Sequence, residues 1–484
     1  MSNTIEENPL FPIANPRSIA FFGASNNHTT MGTIQFMSMK ELGYEGPVYP
    51  IHPKETEVQG YRAYQRVMDL PQIPDLAIIV LPTRLVCQTM DECGKKGIKN
   101  AVIISGGFRE VGGDGAELEE ELKRIADQYG IRFIGPNCIG VVNPHLKLNP
   151  TPFTYDAQPG FIGMASQSGS FVTQMFEYLG AMGLGFSSAF SVGNEANIDL
   201  VDCLNYFDAC EKTKVIALYI EGVRRGRVFI ETARSIIPKK PIVALYVGGT
   251  ETGKRAGFSH TGALSGPDHL YDGLFKQSGV LRAGSLPELF DFCWALGCLP
   301  APKGHRLVIQ TNSGGPGANA ADAAGRAGLE LSILSKTTQE KLKPFFPPTA
   351  SINNPVDMTF SRNQSDLYSI IPQTLLEDEN TDLLLMYFIA QERRMKLLME
   401  AMGLSEEQAT QQNMTVFKTQ SEALIQVRDN CGKPIVGYTY GVSSDPLQKI
   451  LISKGIPIFP SPERAVAALK ALTTYYRLIN ASSR

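Results

Sequence analysis

Short apolar runs alternate with helical stretches along almost the whole chain, and this alternation constrains the fold more than any other feature. Ile19–Ala24, Leu76–Pro82, Ala101–Gly107 and Phe133–Asn137 are apolar runs that end in turn residues. Between the last two, Ala116–Gly130 (AELEEELKRIADQYG) carries an apolar stripe at helical spacing and a glycine stop. Strand, helix, strand in this order requires right-handed crossovers, and so a parallel sheet of the α/β class. Two Pro-rich, aperiodic stretches break the rhythm: NPTPFTYDAQPG, which starts near residue 150, and LPAPKGH at 299–305. A second series lies between them, with strands expected at Phe161–Ala165, Ser187–Val192, Val215–Ile220 and Ile242–Val247. A third runs from Arg306 through RLVIQ, LELSIL, LLLMYFIA, PIVGYTY and IPIF to the helix PERAVAALKALTTYYRLI. The 484 residues thus divide into expected domains at 1–150, 151–300 and 301–484, each long enough to bury a core. The second and third series open alike, with a strand, a small-residue turn and a helix: ASQSGS at 165–170 and TNSGGPG at 311–317. That layout suggests a distant duplication, although any two α/β domains would share it.

Charge and cysteine usage exclude several functions. Lys plus Arg number 45 and Asp plus Glu 48, a net charge of −3, so no basic surplus exists to displace counterions from nucleic acid. The start, MSNTIEENPLFP, is acidic and lacks a basic-plus-apolar leader, and no run approaches the roughly 18 apolar residues that span a bilayer. The eight cysteines form no CxxC pair and the six histidines are scattered, which argues against a structural zinc site and leaves metal ligands at none. Reduced cysteines in a cytoplasmic protein are expected.

Four segments carry chemistry. The run IAFFGA enters a glycine turn, GASNNHTTMG, ahead of a helix expected at about 33–42. Free N–H groups and a helix dipole there suit phosphate, as in the mononucleotide half of a Rossmann-type domain. No GxGxxG is present, only Gly23 and Gly32 around a longer loop, and a purely structural turn fits equally well. The next run, VYPI, ends in His52-Pro53-Lys54, where an NAD site would carry an acid; a base suits a ligand with an extra phosphate, such as coenzyme A or NADP. Second, Ser166-Gln167-Ser168-Gly169 stands at a strand-to-helix turn, a phosphate cradle or an ordinary N-cap. Third, Glu221 follows an expected strand at the edge where doubly wound sheets bind ligands. Fourth, His260 lies in GKRAGFSHTGALSG (253–266), a stretch of small residues that lets other groups approach and move. A neutral imidazole there could carry a phosphoryl group, and a carboxylate on one ring nitrogen would leave the other nucleophilic.

Taken together, IGPNCIG, SVGNEANID, ALYIEGV, SHTGALSG, TNSGGPG and NPVDM, in this order, resemble the α subunits of nucleoside-diphosphate-forming acyl-CoA synthetases. The likeness is to the ADP-forming acetate–CoA ligase branch, related to succinyl-CoA synthetase. It implies an N-terminal Rossmann-like CoA-binding domain followed by two flavodoxin-like domains. It implies that His260 becomes phosphorylated, that Glu221 orients it, and that Ser166, Gln167, Ser168 and Gly169 hold phosphate. Gly23, Ser25, Lys54, Pro82, Ser105, Gly106 and Asn137 would fall in the CoA-binding loops. No ATP-grasp domain is read in the chain, so nucleotide and Mg²⁺ are expected on a separate β subunit, in a heteromer such as α₂β₂. Tyr246 and Gly249 stand where many relatives carry basic residues, and Phe258 where a small one is usual, which leaves the acid open among acetate, branched and aryl acids. An inactive CoA-binding scaffold of the same fold is the alternative; an NADP dehydrogenase is disfavoured by the missing GxGxxG. Cys138 is expected to be a buried thiol, His28 a solvated loop residue, and Arg224, Arg225 and Arg227 a solvated helix start.

Overall fold

The computed structural model describes residues 4–253, 266–348, 350–359, 363–389, 392–440 and 445–482. The chain forms two compact units, residues 1–289 and 290–484. The first holds two large sheets and a two-stranded one (Glu57–Val58 with Tyr61–Arg62), and the second one more large sheet.

The first sheet consists of β1 (Ile19–Phe22), β2 (Val48–Ile51), β3 (Leu76–Ile79), β4 (Asn100–Ile103) and β5 (Arg132–Ile134), ordered β2-β1-β3-β4-β5 and parallel throughout. Every residue of β1 and β3 is buried, which is why these strands are continuously apolar and not alternating. Beyond β2, Tyr64 makes a single parallel bridge to Ile51, its N–H donating to Pro50 O at 2.9 Å and its carbonyl accepting from His52 N at 2.9 Å. Counting that bridge as a strand shrunk to one residue recovers the Rossmann order 3-2-1-4-5-6.

The second sheet takes β6 (Gly140–Val142), β7 (Ile162–Ser166), β8 (Phe186–Ser191), β9 (Val215–Ile220), β10 (Ile242–Tyr246) and β11 (Leu281–Ala283), ordered β11-β10-β9-β7-β8-β6. Apart from β6, this is the flavodoxin order 2-1-3-4-5. The short β6, within the stretch read as the first domain, pairs antiparallel with β8. The third sheet has the same order: β12 (Arg306–Thr311), β13 (Glu330–Leu331), β14 (Leu383–Tyr387), β15 (Ile435–Tyr438) and β16 (Ile458–Phe459) run β13-β12-β14-β15-β16, and Val356–Asp357 also pairs with β12. Val308, Leu384, Met386, Phe417 and Ile435 lie in its buried core.

The two flavodoxin-like sheets repeat each other at atomic detail. At the end of β7, Ser166 Oγ donates to Ser168 O (2.7 Å) and accepts from Ser168 N (3.1 Å). At the end of β12, Thr311 Oγ1 donates to Ser313 O (2.8 Å) and accepts from Ser313 N (3.2 Å). Lys240 Nζ donates to the carbonyls of Phe207, Asp208 and Cys210 at 2.7–2.9 Å, and Lys433 Nζ to those of Leu376, Asp378 and Thr381 at 2.5–3.1 Å. Both lysines open the same words, Lys-Pro-Ile-Val, at 240–243 and 433–436. These matching side-chain bonds go beyond a shared layout and are what a duplication of one unit would leave. In the first sheet the expected runs at Ile19–Ala24, Leu76–Pro82, Ala101–Gly107 and Phe133–Asn137 extend past the observed strands at their C-terminal ends, because the chain leaves the sheet there to build loops. Gly23 has φ +104°, and a Cβ on it would stand 2.0 Å from Val80 O, so only glycine permits that exit from β1. Among the described residues no helix is long and apolar enough to cross a membrane, and all eight cysteines are free.

Candidate active site

The residues expected to bind CoA follow successive strands of the first sheet on one edge: Gly23 and Ser25 after β1, Lys54 after β2, Pro82 after β3, Ser105 and Gly106 after β4, and Asn137 after β5. They are held by short local bonds. A Cβ on Gly32 would lie 2.3 Å from Gly23 O, so the helix Met31–Leu42 begins hard against the β1 turn. Ser25 N donates to Thr33 Oγ1 (3.0 Å), and Gln59 Nε2 donates to Ser25 O (3.1 Å). Ser105 Oγ donates to Leu81 O (2.6 Å), and Asn137 N to Ser105 O (2.9 Å). His52 Nδ1 accepts from Glu55 N (2.9 Å), closing the turn on which Lys54 is exposed. His28 is exposed. Cys138 is buried, its Sγ donates to Ile103 O (3.2 Å), and burial pushes its thiol up to about 12, so it is no nucleophile.

On the second sheet, β7 and β9 are direct neighbours, so the Ser166–Gly169 turn and Glu221 stand side by side at their C-terminal ends. Gln167 joins them. Its Oε1 accepts from Glu221 N (2.5 Å) and Gly222 N (3.0 Å), and its Nε2 donates to Gly222 O (2.7 Å) and Glu195 Oε2 (2.8 Å). Both lone pairs and both protons of the amide are thereby spent on protein, and none is left for a phosphate. Ser166 Oγ is likewise engaged within its own turn. The groups the turn presents are the N-terminus of the helix Gly169–Ala181 and the hydroxyl of its N-cap, Ser168, which makes no capping bond. The first sheet's edge reaches this turn: a Cβ on Gly169 would contact Ile139 at 3.4 Å, and Ile139 N donates to Ser191 Oγ at 3.2 Å.

Sequence reasoning passed over Asn194 and Glu195, although it quoted the motif that contains them. The loop Gly193–Ala196 lies on the Gly135–Asn137 loop: Asn194 N donates to Pro136 O (2.9 Å), and Ala196 N to Gly135 O (3.2 Å). Asn194 Nδ2 donates to Glu110 Oε2 (2.6 Å) and Glu119 Oε2 (2.9 Å). Glu195 is buried at φ +51°, and its Oε1 accepts from Leu200 N at 3.0 Å. Burial pushes its carboxyl up to about 8, against the hydrogen bond from Gln167. The expected solvated arginines are instead committed. Arg224 donates to Asn194 O (2.5 Å) and Glu195 O (3.0 Å), and Arg225 grips Asp199 and Asp202. These backbone carbonyls and carboxylates satisfy the guanidinium forks, which a solvated face would have left to water. Arg227 is exposed.

His260 and Phe258 lie outside the described residues. The segment that contains them is flanked by two tyrosines. Tyr246 stacks on Tyr271 (ring centroids 3.6 Å apart, 12° between planes) and donates to Gly266 O (2.7 Å), while Tyr271 Oη accepts from Val223 N (3.1 Å). Gly249 faces Asp268, whose Oδ1 would lie 2.2 Å from a Cβ there. Asp268 pairs with Arg282 (2.6 Å), so a cation stands at this corner although positions 246 and 249 supply none. Among the described residues no three His, Cys, Asp or Glu side chains form a group that could hold a metal.

Known proteins resemble the chain along its length. A family model described as a CoA binding domain matches residues 17–144, and one described as a succinyl-CoA ligase like flavodoxin domain matches 159–296. The ADP-forming acetate–CoA ligase II subunit alpha of Pyrococcus furiosus is 41% identical, over 95% of this chain and 96% of its own. The ligase I subunit alpha of the same organism is 38% identical, over 96% and 97%. The solved structure of the dinucleotide-forming acetyl-coenzyme A synthetase 1 of Candidatus Korarchaeum cryptofilum, in complex with phosphate and ADP, superposes with a TM-score of 0.85 at 35% identity, covering 98% of each chain.

Proposed function

The chain belongs to the family of ADP-forming acetate–CoA ligase α subunits, and from that membership we propose that it interconverts an acyl-CoA and its free acid through a phosphohistidine at His260. The observation that carries this reading is the pairing of the Ser166–Gly169 turn with Glu221 through Gln167, beside the loop that continues from Asn137. Phosphate and thioester would meet at that junction.

In the proposed sequence, a phosphate oxygen attacks the thioester carbonyl and the C–S bond breaks. The thiolate of CoA leaves and takes a proton, and an acyl phosphate remains. A ring nitrogen of His260 then attacks phosphorus, the P–O bond to the acyl group breaks, and the carboxylate departs. Transfer from phosphohistidine to ADP breaks the N–P bond and yields ATP. Most of the chemistry is positioning and charge stabilisation. Glu221 holds the imidazole in one tautomer, with the reacting nitrogen unprotonated. The helix N-terminus at Gly169, its amides and the Ser168 hydroxyl hold the phosphoryl oxygens. Gly23, Ser25, Lys54, Pro82, Ser105, Gly106 and Asn137 line the CoA loops, with Lys54 offered to the 3′-phosphate. Ser166 and Gln167 shape the turn. The nucleotide and its Mg²⁺ enter on a separate ATP-grasp β subunit, in an assembly such as α₂β₂, and the enzyme works in the cytoplasm.

Intact-protein mass spectrometry tests this. After incubation with acetyl-CoA and phosphate, and separately with ATP and a coexpressed β subunit, the chain should gain one acid-labile phosphoryl group. His260→Ala should gain none. A wild-type chain that stays unmodified beside its β subunit would remove the catalytic reading and leave a CoA-binding scaffold. A panel of acyl-CoA thioesters then finds the acid.

A further inference from the structure

The proposed reaction needs Glu221 at a fixed height and angle beside the phosphate turn, yet Glu221 is only half-buried and sits on a turn, not in a strand. The N–H groups of both Glu221 and Gly222, and the carbonyl of Gly222, are taken by a single side chain, Gln167. An amide with two rotatable bonds beyond Cβ holds such a position only if its own end is held. The fixed point is Glu195, a buried carboxyl group whose Oε2 stands 2.8 Å from Gln167 Nε2. Glu195 is itself immobilised by Leu200 N on its other oxygen, by Arg224 on its carbonyl, and by a left-handed backbone that residues other than glycine rarely adopt. The preceding residue continues the line. Asn194 Nδ2 donates to Glu110 Oε2, and Glu110 Oε1 accepts from Gly107 N (2.5 Å) in the loop that follows Ser105 and Gly106.

We propose that Glu195, acting through Gln167, is a positioning residue for Glu221, and that Asn194 ties the same turn to the Gly106–Glu110 loop of the first sheet. This rests on the phosphohistidine reading above. Gln167 thus belongs to the support of the site and not to its phosphate contacts. The line runs from a CoA loop to the carboxylate that orients the histidine, entirely through hydrogen bonds of 2.5–2.8 Å and one peptide link. Strain at Glu195 is the sort of local cost that persists where the surroundings over-determine a conformation.

Isosteric swaps test it in the full chain with its β subunit. Glu195→Gln turns an acceptor into a donor facing Gln167 Nε2. Gln167→Glu keeps the acceptor for Glu221 N and Gly222 N but loses the donor to Gly222 O and sets a second carboxylate against Glu195. Each should slow single-turnover phosphorylation from acetyl-CoA and phosphate about tenfold to a hundredfold, the scale of a sub-ångström to ångström misplacement. The KM for acetyl-CoA in steady-state turnover should stay within about twofold. The double variant Glu195→Gln/Gln167→Glu restores one donor and one acceptor between positions 195 and 167, though not the bond to Gly222 O, and should be faster than Gln167→Glu alone, which lost folding or lost phosphate contacts would not produce. Single variants that phosphorylate at the wild-type rate, or a double variant no faster than Gln167→Glu, would overturn the positioning role. A wild-type chain that takes no phosphoryl group would overturn the reaction itself, and the positioning role with it.

Discussion

Glu195 is a glutamate whose charge the fold resists. Its carboxyl is pushed up from 4.5 to about 8 by burial, with Asp199 adding to the shift and Gln167, Leu200 N and Arg109 opposing it; Arg224 also approaches it, at 3.9 Å. The sign of the linkage follows. Between about 4.5 and about 8 the folded chain keeps a proton that the unfolded chain has released, so this group's contribution to stability falls as pH rises through that window and is flat above it. Glu195→Gln cannot titrate. The stability of wild type minus that of the variant, from urea unfolding at pH 5 to 9, should therefore decline up to about pH 8 and then level. A difference that rises with pH would mean the carboxylate is stabilised as an anion. Cys138 is a simpler case: with its thiol buried and pushed up to about 12, it should resist iodoacetamide at pH 8 in the folded chain and react after denaturation. The sequence made Glu221 and Ser166 legible because each follows an apolar strand, and ligands gather at such ends. It hid Glu195, because the polar loop around it reads as solvent-facing. Its neighbour Asn194 finds carboxylate partners 75 and 84 positions away, a pairing that no local pattern encodes.

Among elements, the helix ends facing β9 and β14 depend on one lysine each. Lys240 closes three carbonyls at the C-terminal end of the helix Leu200–Ala209, and Lys433 closes three in and just beyond the last turn of Ile370–Glu377. Methionine at either position keeps the aliphatic stem and drops every one of these bonds. Buried acceptors left unpaired cost about 1–3 kcal/mol each, though partial access to water softens this at half-exposed sites. Lys240→Met and Lys433→Met should each lower stability by about 2 kcal/mol, read as a shift in the urea midpoint of the unit that carries the change. A silent substitution would mean that water already serves those carbonyls. The repeated Lys-Pro-Ile-Val words show how much of this was written in the chain: the strands were readable from their apolar runs, but the lysines gained meaning only when two sheets placed them at equivalent corners. Two short elements escaped. β6 has three residues, too few for any periodicity, and the Rossmann third strand survives as Tyr64 alone.

For the molecule as a whole, β6 decides how the first unit coheres. It leaves the loop after β5, yet Val141 and Val142 are fully buried at the far edge of the second sheet, where β6 pairs with β8. The Gly135–Asn137 loop just before it is bound by Asn194 and Ala196. The loops expected to bind CoA and the Ser166–Gly169 turn are thus not carried on two bodies joined by a linker, and the proposed site shared between them is pre-organised by the sheets themselves. Such an arrangement should unfold as one. Val141→Ala removes two buried methyl groups at the seam and should cost about 2 kcal/mol. If the sheets are cooperative, that loss reaches both: amide exchange at Ile78 and Val102 in the first sheet and at Ala217 and Leu218 in the second should quicken together, by roughly thirtyfold. Acceleration confined to the second sheet would show two independently opening bodies, and the meeting of the Gly135–Asn137 loop with the Ser166–Gly169 turn in the proposed site would then have to be made by ligand and not by fold.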